Sequence, residues 1–155
     1  MIYVAFYKGD STKKGVAGLR ERIEDKIIRC VTKGPYSHCE IAIPDNAGYY
    51  SLFSSSPRDK GVRTKTHKLN PNKWDVLPVN VEPKQIIDFY NKTQGLPYDL
   101  LGAIGIVLPF RDGRNKYFCS EWCYNAIFNS TDGFRVDPNR LYSIIKDVYG
   151  TDKTH

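Results

Sequence analysis

The spacing of apolar residues changes period several times along the chain, and each change marks an element. IYVAFY (Ile2 to Tyr7) is aromatic and β-branched, which suits a short strand. GVAGLRERIEDKIIRCVTKG places Leu19, Ile23, Ile27 and Cys30 or Val31 at helical spacing, with Gly34 as C-cap, and predicts an amphipathic helix. SHCEIAI alternates: Cys39, Ile41 and Ile43 point one way, while His38, Glu40 and Ala42 point the other, giving a strand with a polar face. PDNAG has the composition of a hairpin turn, and YYSLFSSS returns as the next strand. SPRDKGV is a second turn leading to a short edge strand, within a polar loop region near residues 54 to 73. KWDVLPV is a further strand, with Pro78 near its end.

Three helical patterns follow. EPKQIIDFYNKTQG has Pro83 in its first turn, an apolar stripe at Ile86, Ile87, Phe89 and Tyr90, and Gly95 to stop it. CSEWCYNAIFNS is a short helix that starts near Cys119. DPNRLYSIIKDVYG is the last, with Asp137 as cap and Pro138 as first helical residue. This order predicts an α+β fold: a small antiparallel sheet packed against segregated helices, in one domain over residues 1–150 with a polar tail at 151–155. A chain of 155 residues, 41% hydrophobic, is long enough to bury one core.

Composition narrows the partners. The longest apolar segment, LLGAIGIVLPF, is about half of the roughly 20 residues a membrane span needs, and MIYVAFYKGDST lacks the basic segment of a signal peptide. The expectation is a soluble, cytoplasmic protein with no stable membrane anchor. A net charge of +6 is mild, and its basic residues are scattered, densest in RDKGVRTKTHK and RDGRNK, which read as solvated loops. No RNA-binding signature or zinc-finger spacing points to nucleic acid.

The four cysteines, Cys30, Cys39, Cys119 and Cys123, read as thiols in a chain of this size without an export signal. Cys119 opens a helix, where free backbone N–H groups and the helix dipole favour a thiolate. Cys123, one turn on, reads as a small core residue. A nucleophilic thiol needs a base. Of the three histidines, His155 is terminal, His67 lies among lysines, and His38 sits on the polar face of its strand with Glu40 two residues on. A zinc set of Cys30, His38, Cys39, Cys119 and Cys123 lacks close Cys-x-x-Cys pairs and puts His38 and Cys39 on opposite faces, so neither metal nor other cofactor is expected.

The segment GLPYDLLGAIGIVLPFRDGRNKYFCSEWCYNAI (Gly95 to Ile127) resembles the NlpC-type papain-like cysteine peptidases, with their Gly-x-x-Tyr segment and an aromatic-Cys-Ser step that opens a helix. In those enzymes the histidine strand follows the cysteine. Here SHCEI precedes it, an order that resembles the circularly permuted YiiX-like branch, and SSSPRDKGVR resembles that group's loop after the second strand. The resemblance covers most of Tyr36 to Phe128. It implies a circularly permuted papain-like fold, with Cys119 as nucleophile, His38 as general base and Tyr98 beside the nucleophile as an oxyanion contact. The family position for the group that orients the histidine falls on the following strand, where Ser51 is the candidate. Glu40 is chemically the stronger choice. Ser120 is expected to help cap the helix and Glu121 to line the cleft.

The function implied is a cysteine hydrolase acting on an amide or ester through a thioester. Substrates of that class include small peptides, peptidoglycan fragments and lipid esters, and the architecture suits a phage or bacterial accessory gene. Two alternatives stay open: an inactive binding module on the same fold, and a lipid acyltransferase resembling the lecithin retinol acyltransferase-like proteins. The Cys119-Ser120-Glu121-Trp122 step departs from the Asn-Cys-Glu-His step usual in the latter.

Overall fold

Alternation in the first strand fixes the two sides of the sheet. Ile2, Val4 and Phe6 turn to one side and join the main core, while Tyr3 and Ala5 turn to the other. The structure, a computed structural model, describes residues 1–9, 29, 33–104 and 115–150. The helix expected from Gly15 to Gly34 therefore falls almost wholly outside the described residues. So do Cys30, much of LLGAIGIVLPF, most of RDGRNK and the tail.

Five strands form one antiparallel sheet: β1 (Ile2–Tyr7), β2 (His38–Pro44), β3 (Tyr50–Ser56), β4 (Gly61–His67) and β5 (Trp74–Val79). Their order is β4-β3-β2-β1-β5. The helices are α1 (Pro83–Thr93), α2 (Leu100–Ile104), α3 (Cys119–Phe128) and α4 (Pro138–Tyr149), with a 3-10 turn at Gly133–Arg135. The described chain is thus α+β. Residues from α1, α3 and α4 cover one side of the sheet, where Val4, Phe6, Cys39, Ile41 and Phe53 meet Ile86, Trp122, Cys123, Leu141 and Ile145. A smaller cluster of Ala5, Ala42 and Leu52 lies on the other side, with Tyr3, Tyr50, Leu69 and Trp74 packed on it.

Local chemistry explains the helix ends. Asp137 accepts from the N–H groups of Asn139 and Arg140, an N-cap of the kind that contributes about 1 kcal/mol, and Pro138 needs no such partner. α3 ends at Asn129 in the left-handed conformation. α1 is tied to α3 at two levels: Trp122 Nε1 donates to Thr93 Oγ1 at 2.9 Å, and Gln85 Nε2 donates to the carbonyls of Ala126 and Ile127 at 2.7 and 2.9 Å. These bonds satisfy C-terminal carbonyls of α3 and fix its axis against the sheet.

Two expectations are corrected. The polar loop region near 54 to 73 is largely ordered strand, because β3 runs on to Ser56 and β4 pairs with it from Gly61 to His67. Ile87 is not part of the buried stripe of α1; it is 42% exposed, and Thr93 takes the inward position through its bond to Trp122. The polar face of β2 is covered as well, with Glu40 and Ala42 both buried.

Candidate active site

The ladder between β2 and β3 stops short. It runs from Pro44↔Tyr50 to Ile41↔Phe53, and beyond that point the strands part company. His38 and Cys39 pair only with β1, while Ser54, Ser55 and Ser56 pair only with β4. Unpaired backbone groups in a buried fork need other partners. Ser54 Oγ donates to the Cys39 carbonyl at 2.8 Å, and Ser55 Oγ donates to the Tyr117 carbonyl at 2.6 Å. The chain entering α3 is thereby pinned into the fork, with Phe118 as N-cap and Cys119 as the first helical residue.

A second strap brings the Pro97–Asp99 segment alongside. Tyr98 bridges to Tyr117, its N–H bonds to the Lys60 carbonyl, and Tyr117 N–H bonds to the Pro97 carbonyl. Gly61 permits this approach: a Cβ there would meet the Leu96 carbonyl oxygen at 2.1 Å. Tyr98 therefore lies half-buried next to the residue two before the nucleophile candidate.

The fork lets groups from both sides of the sheet meet. Cys119 and His38 lie close enough to shift each other's ionisation, although they come from opposite faces. His38 Nε2 lies 2.9 Å from Glu40 Oε1. With Nε2 held there, Nδ1 is the ring nitrogen left for the sulfur. Two residues on one strand would normally stand about 7 Å apart, so the side chains lean toward each other to close this contact. Trp74, in register with Tyr7 on β5, sets its ring 6.5 Å from the imidazole.

The electrostatics follow from these contacts. Burial pushes the His38 imidazole toward neutrality, but Cys119 and Glu40 outweigh it and lift its pKa to about 9. Burial also opposes ionisation of Glu40, yet His38 and Arg63 hold its pKa down to about 2. The Cys39 thiol beside the sulfur, together with the charge of His38 and the Cys39 N–H, outweighs burial and holds Cys119 well below an ordinary thiol. Burial and the same contact push Cys39 well above. The arrangement favours a thiolate at Cys119 and an imidazolium at His38.

Other candidates are placed differently. Ser51 lies opposite Ile43 and Thr66, five residues along the sheet from the position facing His38, so it does not meet the imidazole. Ser120 does not cap α3: its Oγ is fully buried with no hydrogen-bond partner among the described residues. Glu121, expected in the cleft, is 4% exposed and packs in the first turn of α3. Cys123 is a core residue whose thiol points at the Cys39 carbonyl at 3.8 Å. The described cysteines, Cys39, Cys119 and Cys123, are all free thiols. Among the described residues no group of three or more His, Cys, Asp or Glu is arranged to hold a metal ion, and no helix is long and apolar enough to cross a membrane.

Sequence reasoning overlooked four contributors. Cys39 was visible only as a core residue, because its role depends on the fork. Ser54 and Ser55 gave no signal beyond a polar run. Arg63 sat in a basic stretch that reads as solvated, yet its Nη2 donates to Glu40 Oε1 at 2.6 Å. The chain matches no protein-family model, and no curated protein is significantly similar to it.

Proposed function

We propose that the protein is a cysteine hydrolase on a circularly permuted papain-like fold, cleaving an amide or ester through a thioester at Cys119. The observation that carries this reading is the placement of the imidazole: His38 Nε2 lies 2.9 Å from a buried carboxylate, and the ring sits within electrostatic reach of a helix-opening thiol. In the forward step the Cys119 thiolate attacks the substrate carbonyl carbon. His38 then gives its proton to the leaving amine or alkoxide as the C–N or C–O bond breaks. Water, deprotonated by His38, cleaves the thioester and returns the thiol proton to the pair. The Cys119 N–H opens α3 and has no intrahelical partner, so it is a donor for the oxyanion, and Tyr98, whose backbone bridges to Tyr117, is the candidate for a second.

The test is selective labelling. Iodoacetamide is expected to modify Cys119 first in the folded protein, with Cys30, Cys39 and Cys123 reacting slowly or only after unfolding. Labelling should persist well below the pH of about 8.5 where an ordinary thiol ionises. Turnover of an acyl probe should fall as the pH rises through about 9, where His38 loses the proton it delivers. Peptide mapping that finds Cys39 or Cys123 modified before Cys119 removes the nucleophile and the reading with it.

A further inference from the structure

Glu40 does not meet His38 alone. The oxygen that lies 2.9 Å from His38 Nε2 also accepts from Arg63 Nη2 at 2.6 Å. Arg63 Nε in turn donates to Asp59 Oδ2 at 2.8 Å, and Lys65 Nζ donates to Asp59 Oδ1 at 2.5 Å. The contacts form one line of groups with alternating sign: Cys119 thiolate, His38 imidazolium, Glu40, Arg63, Asp59, Lys65. It begins at a buried sulfur and ends in water, for the Glu40 side chain is 5% exposed and that of Lys65 54%.

We propose that Arg63 is a positioning residue of the site, keeping Glu40 ionised and aimed so that Glu40 can hold the His38 imidazolium against Cys119. The role rests on the hydrolase reading above and adds a residue to it. A carboxylate this deeply buried takes up a proton unless cations compensate it. Between them Cys119, His38 and Glu40 carry one positive and two negative charges in the reactive state. Without Arg63 this buried group has a net charge of −1 and draws in a proton, which ends either on Glu40 or on the sulfur. Either outcome loses the ion pair that makes Cys119 reactive.

Geometry assigns the rest. Ser54↔Arg63 pairing places Arg63 on the same side of the sheet as Glu40, and the turn carrying Asp59 folds back beneath it. The Arg63–Glu40 contact is single: Glu40 Oε2 and Arg63 Nη1 are both buried with no hydrogen-bond partner among the described residues. A single N–H to a single oxygen is a contact that an ammonium can imitate, whereas a fork is not. The ionisable groups facing this line are His38, Cys119 and Cys39 on its inner end and Asp59 and Lys65 on its outer end.

The experiment is the rate of Cys119 alkylation by iodoacetamide across pH, read by peptide mapping on the whole chain, with thermal unfolding followed in parallel. Removing a cation raises the pKa of each group near it. Arg63→Met is therefore expected to move the acid limb of the profile upward by about one unit, which is about a tenfold lower rate on that limb. Arg63→Lys should restore most of the shift. Asp59→Asn has the opposite sign, because it leaves Arg63 less compensated, so the limb should move down; Asp59 lies in a surface turn, and this variant reads the coupling even where Arg63→Met does not fold. A merely structural role for Arg63 lowers labelling at every pH without moving the limb. That result, or an unmoved limb in Asp59→Asn, overturns the proposal. If the unsubstituted protein itself lacks a low-pH limb, the nucleophile reading fails instead.

Discussion

His38→Ala is expected to lower turnover of an amide or ester probe by about 10³-fold or more, since both acylation and deacylation move a proton through that imidazole. Alkylation of Cys119 should fall by much less. The Cys39 thiol and N–H still face the sulfur, and the first turn of α3 still favours negative charge, so the thiolate is weakened rather than removed. The two readouts therefore separate. An activated ester with a good leaving group should still acylate Cys119 slowly, and the thioester should then persist, visible by intact mass, because no base remains to activate water. The fold should survive, as the His38 side chain is partly open to solvent. Equal alkylation profiles in both proteins, with turnover unchanged, would show that the two residues are not partners.

Glu40→Gln carries the second large effect. Its carboxylate favours the imidazolium, so removing that charge is expected to bring the alkaline limb of turnover down from about 9 toward the usual histidine range. The sign follows from the charge: an anion beside a base raises its pKa, and losing it lowers it. The chemical step should slow by about 10²-fold or more, by the same logic that makes a misoriented catalytic imidazole slow. A stability cost accompanies this, because Arg63 keeps Asp59 but loses its buried partner. Ser51→Ala is the matched control. Ser51 faces Ile43 and Thr66, and its removal should leave the pH limbs in place. An alkaline limb still near 9 in Glu40→Gln, with turnover within tenfold, would assign the far nitrogen of His38 to another group.

How much of this was legible in the sequence depends on the range of the interaction. Period-2 alternation in SHCEIAI put His38 and Glu40 on one face and Cys39 and Ile41 on the other, and the sheet keeps that division. Asp137 followed by Pro138 marked the start of α4 without ambiguity, since capping is local chemistry. The same alternation could not show that the polar face is covered, because burial depends on what lies over the strand. It also set His38 and Cys39 on opposite faces, which gave no hint that one sulfur could lie near both. That becomes possible only where β2 and β3 separate, and where two strands stop pairing is set by their neighbours rather than by either sequence. Arg63 was misread for a similar reason. Charge runs are usually solvated, and only the β3–β4 register reveals that one member faces a buried carboxylate.

The fork between β2 and β3 has a bearing on how an inactive form of this protein behaves. Where a ladder would continue, the Cys39 N–H lies near enough to the Cys119 sulfur to favour its charge. The reactive atom is thus also a piece of the scaffold. An alanine at position 119 silences the nucleophile and at the same time removes the polarisable atom that the Cys39 N–H faces in the fork. Serine keeps an acceptor there, though a shorter and harder one. A substrate-trapping mutant of this protein is consequently not a neutral blank: the serine form preserves the mouth of the fork, while the alanine form loosens it at the place where a captured ligand would have to be gripped.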